Sequence, residues 1–76
     1  MKLRYSRRFH RSYGAAPAHI QKAFIKQASL LTRSLRHPSL RAKKYDENQG
    51  IWQARVSRDW RFYFTIEKDA YHLHTP

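Results

Sequence analysis

From Ile51 to Ile66 the chain reads IWQARVSRDWRFYFTI, with apolar and polar residues alternating on both sides of a short polar break. Trp52, Ala54 and Val56 fall on one face of a first strand, and Trp60, Phe62, Phe64 and Ile66 on one face of a second. A period of two marks half-buried antiparallel strands. The break at Ser57-Arg58-Asp59 has hairpin length, although it lacks the glycine of the tightest turns. With the aromatic face on a core, the opposite face presents Gln53, Arg55, Arg61, Tyr63 and Thr65. Two arginines and a tyrosine on one sheet face mark it as the candidate working surface.

The period changes upstream. Ile20, Phe24, Ala28, Leu31 and Leu35 recur at spacings of four, four, three and four, which is one apolar stripe on a helix. Pro17 suits the first turn of that helix, where a missing N–H costs nothing. Pro38 should end it and push His37 towards an extended conformation. Lys22, Lys26, Arg33 and Arg36 lie off the stripe. A shorter helix is predicted over Arg7–Tyr13, with Ser6 as N-cap, Phe9 and Tyr13 on one face, and Gly14 at the left-handed position that closes a helix.

Leu3-Arg4-Tyr5-Ser6 reads as an edge strand and Leu40–Tyr45 as another, with Leu40, Ala42 and Lys44 on one face and Arg41, Lys43 and Tyr45 on the other. Asp46–Gly50 is a polar loop and Glu67-Lys68-Asp69 a turn. Ala70–Thr75 is a last strand, with Tyr71 and Leu73 on one face and His72 and His74 on the other. The predicted order is β-α-α-β-β-β-β, an α+β fold with two N-terminal helices packed on one face of a small, mainly antiparallel sheet. No repeat or linker divides residues 1–76, so one domain is expected.

Charge sharpens the picture. Residues 1–45 carry 12 basic side chains and no acidic one, whereas residues 46–76 carry 4 and 5, for a net charge of +11. So one-sided an excess calls for a polyanionic partner, a nucleic acid or an acidic protein. Lys22, Lys26, Arg33, Arg36, Arg41, Lys43 and Lys44 are the candidate RNA-binding cations. The absence of cysteine excludes disulfides and thiolate metal sites. No apolar run approaches the roughly 20 residues of a membrane span, and no signal-peptide core follows Met1, so a cytoplasmic location is expected.

The chemistry open to such a chain is narrow. His72 and His74 share a face, but the acidic residues sit in or beside turns, so no metal site and no cofactor is expected. Ser12, Ser29, Ser34 and Ser39 fit no nucleophile elbow, and two glycines cannot build a phosphate cradle. Metal-free RNA cleavage needs a base for the 2′-hydroxyl, a cation for the charge developing at phosphorus, and an acid for the leaving oxygen. Arg61 and Arg55 can supply the cation, since a guanidinium matches phosphate oxygens. Tyr63 can stack on a base or carry a proton, and His72 and His74 are imidazoles on the sheet. In the competing structural reading, Asp59 or Glu67 merely pairs with the arginines.

A short strand, two helices and a basic strand leading to WQARVSRDWRFYF, with Arg55 followed by Trp60-Arg61-Phe62-Tyr63-Phe64, resemble the RelE/ParE superfamily of toxins from bacterial type II toxin–antitoxin systems, over essentially the whole chain. In the RelE branch the resemblance implies a small ribonuclease that cuts messenger RNA in the ribosomal A site without metal. In the ParE branch it implies a poison of DNA gyrase, and in both an acidic antitoxin. It implies Arg61 as the phosphate-stabilising arginine. The strand before the hairpin carries Ile51 and Gln53 where RelE-type members often carry lysines and others a glutamate base. Many relatives continue past the last strand into a tail that supplies a histidine, tyrosine or lysine, so weak cleavage is expected of these 76 residues, with His74 or His72 standing in. A RelE-fold protein that only binds nucleic acid or antitoxin is the remaining alternative.

Overall fold

The computed structural model describes residues 1–74. Its elements run β1 (Lys2–Tyr5), α1 (Arg7–Ala15), α2 (Ala18–Arg33), a 3-10 turn (Pro38–Leu40), β2 (Lys43–Asp46), β3 (Ile51–Arg55), β4 (Arg61–Glu67) and β5 (Ala70–His74). The five strands form one mixed sheet in the order β1-β5-β4-β3-β2. Three neighbouring pairs are antiparallel, and β1 runs parallel to β5 along one edge. The expected α+β architecture and element order are present. Of the strand expected over Ala70–Thr75, Thr75 lies outside the described residues.

Cross-strand register sorts the side chains onto two faces. Ala54 is opposite Phe62, Trp52 opposite Phe64, and Phe64 opposite Leu73. These residues join Phe9 of α1 and Ile20, Phe24, Ala28 and Leu31 of α2 in one apolar cluster. Phe24 meets Phe62 edge to face at 5.3 Å between ring centroids, and Phe64 meets Tyr71 likewise at 5.4 Å. Burying an aromatic or large aliphatic side chain contributes about 1.5–3 kcal/mol, so this stripe is core.

Four sequence expectations are corrected. Gly14 lies inside α1, and the helix ends at Ala16, whose backbone is extended (φ −77°, ψ 150°). Pro17 imposes that end, because its ring keeps the preceding residue out of the helical region. The second helix stops at Arg33, short of Leu35. Ser34 is already extended (φ −159°, ψ 114°), four residues before Pro38, and Pro38 acts only on His37, which turns extended (φ −57°, ψ 129°) and caps the 3-10 turn. Leu40 is fully buried in that turn, so β2 begins only at Lys43. Finally, Trp60 and Ile66 are 41% and 39% exposed. Alternation fixes which face a residue shares, but not whether anything covers it there. Ser6 caps α1 as expected, its Oγ accepting from the Phe9 N–H at 3.0 Å.

Candidate nucleic-acid interface

The open face of the sheet is built by the same register that builds the core. Across it, Lys43 is opposite Gln53, Gln53 opposite Tyr63, and Tyr63 opposite His74. One step towards the β3–β4 hairpin Arg55 is opposite Arg61, and one step away Thr65 is opposite His72, which is opposite Arg4. Successive residues on one face of a strand are about 7 Å apart. His74 therefore stands one row from Arg61 and His72 two rows away. The position opposite Arg61 on the last strand lies outside the described residues.

The polar contacts of this face are specific. His74 Nε2 is 3.0 Å from Thr65 Oγ1. His72 Nε2 is 3.3 Å from Glu67 Oε2, the one contact between a basic side chain and a carboxylate among the described residues. Glu67 thus engages His72 and not an arginine, and among the described residues no acid pairs with Arg55 or Arg61. Arg61 instead donates from Nη1 to three carbonyls of its own hairpin loop, those of Ser57 (2.9 Å), Arg58 (3.1 Å) and Trp60 (3.1 Å). The loop is closed by Val56 N–H to the Trp60 carbonyl at 2.9 Å. One edge of the guanidinium is a structural clamp, even though the residue is exposed.

Two clefts flank this hairpin. One, of about 350 Å³, lies between the helices and the start of β4, and Tyr13, Ile20, Phe24, Trp60, Arg61 and His74 are among its walls. The other, of about 470 Å³, is bordered by Lys26, Gln27, Ser39, Arg41 and Arg55. The predicted RNA-binding cations therefore do not form one patch. Lys22, Lys26 and Arg33 are exposed along α2, four and seven residues apart on one side of the helix. Arg36 borders a small third cleft with Arg41 and Trp52. Lys43 and Lys44 part company: Lys43 is opposite Gln53, whereas Lys44 lies 5.2 Å over the Trp52 ring, a cation–π contact on the other face.

Two residues escaped sequence reasoning. Tyr45, 55% exposed, stands edge to face with Tyr63 at 4.9 Å and makes an aromatic platform with it. Alternation puts Tyr45 on the face of Lys43, as found, but its meeting with Tyr63 depends on the strand register, which shifts at a bulge in β2 between Lys44 and Asp46. Gln27 is the buried polar residue within the α2 stripe. Its Nε2 donates to the carbonyls of Arg55 (2.9 Å) and Ser39 (3.1 Å), and its Oε1 accepts from Ser39 Oγ (3.2 Å). The signal was an amide beside Phe24, Ala28 and Leu31 at helical spacing. Among the described residues no three His, Asp or Glu side chains are grouped to hold a metal ion, and no helix is long and apolar enough to cross a membrane. Neither the protein-family models nor the curated proteins compared with this chain give a match.

Proposed function

We propose that this protein is a toxin of the RelE type, a ribosome-dependent endoribonuclease that cuts messenger RNA in the A site and is held inactive by an acidic antitoxin. The observation that supports this reading is the grouping of Arg61, Tyr63 and His74 in adjacent rows of an open sheet face where, among the described residues, no arginine is paired with a carboxylate. Arg61 balances the charge that develops at phosphorus, with the guanidinium edge not bound to the loop directed to the phosphate. Tyr63, backed by Tyr45, stacks on a nucleobase. His74 exchanges the proton, its ring oriented by the Thr65 hydroxyl. Arg55, one strand over, adds positive potential along the RNA backbone. Lys22 and Arg33 of α2 grip ribosomal RNA, and the protein acts in the cytoplasm, where its target is. The antitoxin covers the Arg55–Arg61 face and neutralises its charge.

A second reading, a ParE-type toxin that binds DNA gyrase without cleaving RNA, draws support from the Arg61 clamp, because three loop carbonyls already occupy one edge of the guanidinium. A purified translation system separates the two. Message cut at the A-site codon fits the ribonuclease. Intact message together with gyrase trapped on DNA would replace it with the second reading.

A further inference from the structure

We propose that the cleft between α2, the 3-10 turn and the end of β3 is a second phosphodiester-binding site, which holds a further backbone phosphate of the same single-stranded RNA, with Arg55 shared between the cleft and the row that contains Arg61. The proposal rests on the RNA-directed reading above. Three cations, Lys26, Arg41 and Arg55, border a space of about 470 Å³, and among the described residues no acidic one borders it. They come from three elements far apart in sequence, so their convergence is a product of the fold. The floor is rigid: both Gln27 Nε2 bonds and its Oε1 bond tie α2 to Ser39 and to the backbone of Arg55.

Arg41 gives an independent indication. Its backbone is left-handed (φ 47°, ψ 43°), closing the 3-10 turn with its N–H on the Pro38 carbonyl at 3.3 Å. A non-glycine residue costs about 1–2 kcal/mol in that conformation. Glycine or asparagine would close the turn with less strain, and the chain instead places a long cation there, on the rim of a cationic cleft. Phosphate suits such a site better than a carboxylate, because it offers more oxygens to guanidinium and ammonium groups approaching from separate directions.

The test is equilibrium binding of a short, uncleavable 2′-O-methyl single-stranded RNA, followed by fluorescence anisotropy over a series of salt concentrations. The double variant Lys26→Gln/Arg41→Gly removes two of the cations and leaves the left-handed position to a residue that favours it, so thermal unfolding should show no loss of stability. Its affinity should fall about tenfold or more, as expected for losing charge-assisted contacts. The slope of log affinity against log salt should flatten by about 0.7 for the one phosphate released. A reference double variant, Arg7→Gln/Arg8→Gln on α1, removes the same charge away from the cleft and should cost less affinity. Equal losses in the two double variants would reduce the cleft to diffuse surface charge and overturn the proposal, as would unchanged affinity in the first. If Arg41→Gly destabilised the fold, Lys26→Gln/Arg41→Asn would carry the same comparison. Cleavage of ribosome-bound message by the parent chain decides the ribonuclease reading separately. Cleavage with unaltered RNA affinity in the cleft variant removes the cleft alone, whereas a parent chain that neither cuts message nor binds RNA removes both.

Discussion

Arg55 and Arg61 are register partners on adjacent strands, yet they border different clefts on opposite sides of the hairpin. Arg61 turns back to clamp the carbonyls of Ser57, Arg58 and Trp60, whereas the backbone carbonyl of Arg55 is taken by Gln27 of α2. Two arginines that look like a matched pair in the sequence therefore have different neighbours, and their substitutions should have different consequences.

Replacing Arg61 with alanine should lower cleavage of ribosome-bound message by about a hundredfold or more, the scale of losing one transition-state charge partner. It should also lower the melting temperature, because three loop carbonyls lose their donor. Arg61→Lys should recover only part of the activity, since an ammonium lacks the planar, two-sided donor geometry. A lower melting temperature with cleavage intact would leave Arg61 as a loop clamp alone.

The two sheet histidines should separate. His74 stands one row from Arg61, so His74→Ala should depress turnover by about 10²–10⁴-fold, the usual contribution of a proton-transfer group, while RNA binding persists. Thr65→Val, which removes the hydroxyl 3.0 Å from the imidazole, should lower turnover by less than His74→Ala does, because the ring loses its orienting contact but stays in place. His72, two rows away and paired with Glu67, should be replaceable by alanine with a much smaller loss. Equal losses at His72 and His74 would contradict the order of the rows.

Gln27→Ala should destabilise the fold by about 2 kcal/mol, because it leaves the Ser39 and Arg55 carbonyls without the amide that serves them. In a domain of this size that corresponds to a fall in melting temperature of roughly 10 °C, measurable by circular dichroism. A change within experimental error would show that water replaces the amide at no cost.

Alkaline stability should depend on Tyr71. Burial raises its phenol above the ordinary value of 10.0, so the folded chain keeps it neutral where the unfolded chain ionises it. That contribution is complete below the unfolded value and is lost as pH rises through the folded one. Tyr5, raised by burial and by Tyr13, acts in the same direction. Thermal unfolding across the range around pH 10 should show the parent chain losing stability faster than Tyr71→Phe, whose ring has no proton to release. Parallel curves would remove Tyr71 as the cause.

The chain's own pattern determined the elements and their faces. The helical repeat from Ile20 to Leu31 and the alternation from Trp52 to Phe64 each fix a buried side, because apolar surface leaves water in only one orientation of each element. Pro17 set the end of α1 and Pro38 the extended backbone of His37 through local sterics, and Ser6 capped α1 as its hydroxyl allows. The positions of Arg61, Tyr63 and His74 on one open face were legible for the same reason. Only the tertiary structure decided which exposed groups meet. Alternation put Lys43 and Lys44 on opposite faces, but charged side chains carry no burial signal, so nothing local places Lys44 over the Trp52 ring. Nothing local brings Lys26, Arg41 and Arg55 to one cleft, or assigns the Arg61 guanidinium to its own loop. Those pairings depend on strand register, on one bulge in β2 and on the amide of Gln27, which bridges 28 residues of sequence to reach Arg55. Such long-range contacts form only once the core has closed.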